Sequence, residues 1–119
     1  MKRQERISLI NNFLQKLLNK VSSGSALSYL ILTDKQTKKY IQCSLSAGEK
    51  KVIIDIPEGQ LSPEEVNKVS SFLTSLLGEE VISFQAEVEI EKLPDIIDKI
   101  FIECLGSAED YDLEIVLPE

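Results

Sequence analysis

Glu87, Glu89 and Glu91 are the residues best spaced for chemistry in this chain of 119. Side chains two apart on an extended segment share one face, so the three carboxylates would stand in a row. Asp112 and Glu114 repeat the spacing and would neighbour that row if the two segments paired. Facing carboxylates can divide the work of general acid and general base, or hold a hard cation. A row does not converge as a metal loop does, and the competing reading is a solvated strand face opposed by Lys39 or Lys51. Tyr29 and Tyr40, with Lys35, Lys38 and Lys39 nearby, resemble the aromatic and basic surface of a single-strand RNA binder. On a chain of net charge −7, cross-strand packing of the two tyrosines is the favoured reading.

The absences narrow the chemistry further. With no histidine, a Ser-His-Asp or Cys-His mechanism and every histidine-bearing metal site are excluded. Neither nucleotide-binding glycine fingerprint occurs. Cys43 and Cys104 are far apart with no C-x-x-C, which points to reduced core thiols. The Ser22-Ser23-Gly24-Ser25 stretch follows a helical pattern and precedes a strand, opposite to the phosphate-binding order, and reads as a turn. The expectation is therefore a protein with no catalytic residues, cofactor or metal. An isoelectric point near 4.7 argues against nucleic acid and anionic membrane as partners. Residues 1–51 nevertheless carry ten Lys/Arg and three Asp/Glu, net +7, whereas residues 52–119 carry three and seventeen, net −14. Such asymmetry means either a basic binding patch or two halves that pair their own charges. No apolar run approaches the roughly 20 residues that span a bilayer. The opening MKRQERISLI lacks the apolar core of a signal peptide, so a cytoplasmic location is expected.

The elements that must position these residues belong to one domain spanning 1–119, long enough for a single modest core. The best-marked element begins at Pro63. Ser62 suits an N-cap, Glu65 completes a capping box, and Gly78 suits a left-handed C-terminal residue. Val66, Val69, Phe72, Leu73, Leu76 and Leu77 recur at helical spacing, and this face is expected to be buried by the rest of the chain. Residues 4–21 form an earlier amphipathic pattern, with Arg3, Arg6, Lys16 and Lys20 expected on or near its solvent side. Strands over 26–33, 38–45 and 51–56 have connections short enough for an antiparallel meander, the last turned at Ala47-Gly48-Glu49. Ile82, Phe84, Ala86, Val88 and Ile90 alternate as a strand over 82–91. Pro94 opens a helix closed by Gly106, and residues 111–117 alternate as a last strand. The order α-β-β-β-α-β-α-β predicts an α+β domain with a largely antiparallel sheet packed against helices.

Leu30, Leu32 and Ile53 sit on strands that already have one apolar face, so they are expected on the second face, covered by another helix, the chain's own first one being the plainer choice, or by another subunit. At this point the words of the sequence carry a resemblance. KYIQCSLSAGEKKVIIDIP followed by GQLSPEEVNKVSSFLTSLLG resembles the type III secretion chaperone-like superfamily, including its YbjN-like and TY-Chap relatives. DIIDKIFIECLGSAEDYDLEI is similar to the closing helix of that group. The resemblance implies a cytoplasmic, usually homodimeric domain that binds a partner protein segment on apolar surfaces beside the sheet and catalyses nothing. Carried onto this sequence, the implied partner contacts are Leu30, Leu32, Tyr40 and Ile53, and the implied dimer interface holds Ile97 and Phe101. A strand after the last helix departs from the secretion chaperones and directs the resemblance to the broader relatives. Beside this adaptor reading stands a second: a small enzyme, or a ligand- or metal-binding domain, using the acidic face of residues 82–91.

Overall fold

The chain opens on a helix of 20 residues, α1 (Arg3–Ser22), in the computed structural model, which describes residues 1–24, 27–46, 51–79 and 84–118. Three strands follow, β1 (Leu27–Asp34), β2 (Tyr40–Ser46) and β3 (Lys51–Asp55). A 3-10 turn (Glu58–Gln60) leads into α2 (Pro63–Leu77), then come β4 (Gln85–Glu89) and a second 3-10 turn (Ile90–Lys92). Helix α3 (Leu93–Lys99) widens into a π turn (Ile100–Cys104), and β5 (Leu113–Val116) ends the fold. The five strands form one antiparallel sheet in the order β4-β3-β2-β1-β5. The α+β architecture anticipated from the periodicities is thus observed. The expected turn residues Ser25, Ala47, Gly48 and Glu49, together with Ala26, Ile82 and Ser83 of two expected strands, lie outside the described residues. No helix among the described residues is long and apolar enough to cross a membrane.

Local chemistry accounts for where the elements begin and stop. Ser62 accepts a hydrogen bond from the Glu65 amide at 3.2 Å while the Glu65 carboxylate accepts one from the Ser62 amide at 2.8 Å, a complete capping box. Gly78, at φ 74°, closes α2 in the left-handed region. β2 starts at Tyr40, two residues later than the alternation implies, because Lys38 turns through φ 67°. β5 also starts two residues late, because the Tyr111 amide closes a turn on the Ala108 carbonyl at 3.0 Å.

Helix α1 lies over β1, β2 and β5 and against α3, burying Ile10, Leu14, Leu17 and Val21. The sheet meets it with Leu30, Leu32, Ile41 and Cys43, all fully buried. Helix α2 occupies a flank, chiefly against the π turn. This corrects the expectation of a fully buried apolar face on α2. Val69 and Leu73 are buried, Val66 and Phe72 half-buried, and Leu76 and Leu77 remain 38% and 37% exposed. The central surface of the sheet admits one long helix, and α1 takes it.

Three further expectations are corrected. Leu30 and Leu32 point inward, not outward, because β1 pairs with β2 so that Leu30 lies opposite Cys43 and Leu32 opposite Ile41, on the apolar face of β2. Ile97 and Phe101 are fully buried within the single chain and offer no surface to a second copy. Arg6 is not on the solvent side of α1 but fully buried, since its turn of helix faces α3 and the loop before β5.

Candidate functional site

Two places in the fold gather side chains capable of chemistry or recognition, one sealed and one open. The sealed one is centred on Arg6. Its Nε donates to the Asp98 carboxylate at 2.7 Å, and its other nitrogens donate to the carbonyls of Met1, Glu109 and Tyr111. The guanidinium lies 4.1 Å from the centre of the Tyr111 ring, a cation–π contact, and the Tyr111 hydroxyl donates to Asp98 at 2.9 Å. Burial first, and then the Asp98 carboxylate, push the Tyr111 hydroxyl far above the ordinary phenol value. Next to this group, the buried carboxylate of Asp34 accepts from the Ser107 hydroxyl at 2.5 Å and from the Gln36 amide at 2.8 Å. Every member has its partners, and Arg6, Asp34 and Asp98 are at most 1% exposed. This is a clasp that ties the start of α1 to α3, the β1–β2 turn and the approach to β5. Nothing in the sequence marked Arg6 apart from the other basic residues of α1.

The cysteines are buried too, Cys43 completely and Cys104 at the margin of a groove. Burial pushes the Cys43 thiol far up, and burial with the nearby Glu103 charge pushes Cys104 up to about 11. Cys104 borders a shallow groove of about 610 Å³ between α2 and the π turn, lined also by Glu64, Asn67, Lys68, Ser71 and Phe72. A protonated, covered thiol there is a packing group and not a nucleophile.

The acidic row singled out by spacing is only partly assembled. Glu87 and Glu89 are exposed on the outer face of β4, but Glu91 has left the strand for the following turn. Asp112 and Glu114 are not beside them, because β5 pairs with β1 at the opposite edge of the sheet. Lys51, opposite Glu89, is the cation of the row, whereas Lys39 is engaged with Glu65 near the start of α2. Among the described residues no group of three or more Asp, Glu or Cys side chains is placed to hold a metal ion.

The open place is the outer face of the sheet. Inward residues alternate with Tyr29, Ile31 and Thr33 on β1, Ser44 and Gln42 on β2, Ile53 on β3 and Val116 on β5. Val116 lies opposite Ile31, and Tyr29, Ser44 and Ile53 stand in line across three strands. Tyr29, Ile53 and Val116 are 37%, 43% and 47% exposed, and Ile31 is half-buried. The expected contacts Ile53 and Tyr40 are thus on this side, Tyr40 half-buried, while Leu30 and Leu32 are beneath it. The Gln60 amide accepts from the Tyr40 N–H at 2.9 Å and donates to its carbonyl at 2.6 Å, standing in for a strand neighbour at that end of β2. No protein-family model matches the chain, and neither a curated protein nor a solved structure matches it. The site therefore rests on its own geometry. Ile31 was passed over in the sequence because it looks like core until its strand's register is known, and Val116 because it shares its face with Asp112 and Glu114.

Proposed function

We propose that the chain is a non-catalytic protein-binding domain, chaperone-like or adaptor in kind, that holds a partner segment on the outer face of its sheet. The observation that carries the reading is the row formed by Val116, Ile31 and Tyr29 and continued past Ser44 to Ile53, apolar side chains left partly in water while the described helices α1, α2 and α3 pack elsewhere. Covering such side chains is favourable by about 25 cal/mol for each Å² removed from water, which a partner can exploit. The resemblance to the type III secretion chaperone-like superfamily supports the same class of function. It adds a homodimer, for which the outer edges of β5 and β4 are available now that Ile97 and Phe101 are interior.

The test is parallel affinity capture from native lysate with the wild-type chain and a folded Ile53→Asp variant, scored by mass spectrometry. A protein retained by the first and lost by the second supports the reading. A clean bait, or a partner held equally by both, withdraws it.

A further inference from the structure

Resting on that reading, we infer that the partner presents an amphipathic helix whose apolar stripe is flanked by lysine or arginine, laid along the strands of the outer face so that its width covers β5 to β3. Adjacent strands lie about 4.8 Å apart, so the row from Val116 to Ile53 is roughly 14 Å wide, three strand steps. One helix with its side chains is about 10–12 Å across. The row also has relief. Ser44 stands directly between Tyr29 and Ile53, a small side chain between two large ones, leaving a low line into which a ridge of apolar side chains fits. The inner face of the same sheet already receives α1 across β1, β2 and β5.

Charge decides what flanks the stripe. Glu87 lies opposite Ile53 and Asp55 opposite Gln42 on one side of the row, and Glu114 precedes Val116 by two positions on the other. With Glu89 these are four carboxylates on the outer face, against Lys51 as the one cation among its described strand positions. None of the four makes an ion pair among the described residues. A second copy laid face to face would set these carboxylates against themselves, and an acidic segment would meet the same repulsion. Lysine and arginine stems instead cover apolar surface on their way to a carboxylate.

The test uses three fluorescein-labelled peptides of about 18 residues, five helical turns, with one shared leucine stripe and lysine, glutamine or glutamate flanks. A fourth peptide carries the lysine composition broken by two prolines. Each is titrated by anisotropy with the full chain, with Ile53→Asp and with the double variant Glu87→Lys, Glu89→Lys, all shown folded by circular dichroism. Several surface charge pairs acting together make the lysine peptide bind roughly tenfold tighter than the glutamine peptide. The Ile53→Asp variant abolishes binding, and the double lysine variant reverses the order of the lysine and glutamate peptides. Equal binding by all three helical peptides, still lost in Ile53→Asp, overturns the basic helix and leaves the protein-binding reading in place. A proline-broken peptide that binds as well as its helical parent overturns the helix. If no peptide responds to Ile53→Asp, the outer face is not a binding surface and both readings fall.

Discussion

Arg6 carries the largest single commitment in the molecule. A buried guanidinium that satisfies Asp98 and three backbone carbonyls cannot be removed without stranding a carboxylate in the core. Arg6→Met is expected to lower the free energy of unfolding by about 3–5 kcal/mol, measured by urea denaturation. Arg3→Ala, which touches Asp95 and Asp98 from a half-exposed position, should cost less than about 1 kcal/mol. Comparable losses for both would mean that the clasp is not held by Arg6. The cysteines give a second check on the interior. With both thiols raised by burial, native protein at neutral pH should react with a disulfide reagent only at the rate at which it opens, and fast labelling of Cys104 would contradict its packing.

Among the elements, α2 is the best marked in sequence and the least buried in the fold. Its capping box and left-handed Gly78 are local, whereas its anchoring comes down to Val69 and Leu73 against the π turn. Leu73→Ala should therefore cost about 2–5 kcal/mol and Leu76→Ala well under half of that, compared in the same denaturation series. Ser62→Ala should cost about 1 kcal/mol by undoing the cap. Amide exchange should release α2 before β1 and β2, which lie at the centre of the sheet under α1. Slower exchange in α2 than in β1 would show that its exposed half is covered in solution.

On the scale of the whole molecule, the basic and acidic halves pair with each other. The Met1 amino group meets Asp112, Arg3 and Arg6 meet Asp95 and Asp98, and Lys39 meets Glu65, so part of the charge asymmetry is spent inside the fold. Two of these pairs set an acid limit. Burial pushes the Glu65 carboxyl up, but the bonds from Lys39 and Ser62 outweigh it and hold the carboxyl below its ordinary value. The bond from the Met1 amino group, then that from Gln36, holds Asp112 below its own. A depressed carboxyl contributes stability that is complete above its unfolded value, near pH 4, and is lost as pH falls through the lowered folded value. Thermal midpoints should thus hold above about pH 5 and fall below about pH 4. Lys39→Met should flatten that acid slope, and an unchanged slope would remove Glu65 from the account. Light scattering should give the mass of two chains, and a mass of one would withdraw the homodimer.

What the sequence determined alone is what short-range chemistry decides. The capping box at Ser62, the turn at Gly78, the alternation of Ile41, Cys43 and Leu45, and the order of elements all depend on neighbours within a few residues, and all are found. The tertiary structure decided which of two apolar faces is the inside. Tyr29-Leu30-Ile31-Leu32 is apolar in both phases, and only the pairing of Leu30 with Cys43 turns Leu30 and Leu32 inward and leaves Tyr29 and Ile31 for the outer face. It also decided that β5 crosses to β1, parting Glu114 from Glu87, and that Arg6 faces α3 instead of water. The last two choices depend on contacts more than 70 residues apart, such as those between Leu32 and Ile115 or Arg6 and Asp98, whose partners no local window contains.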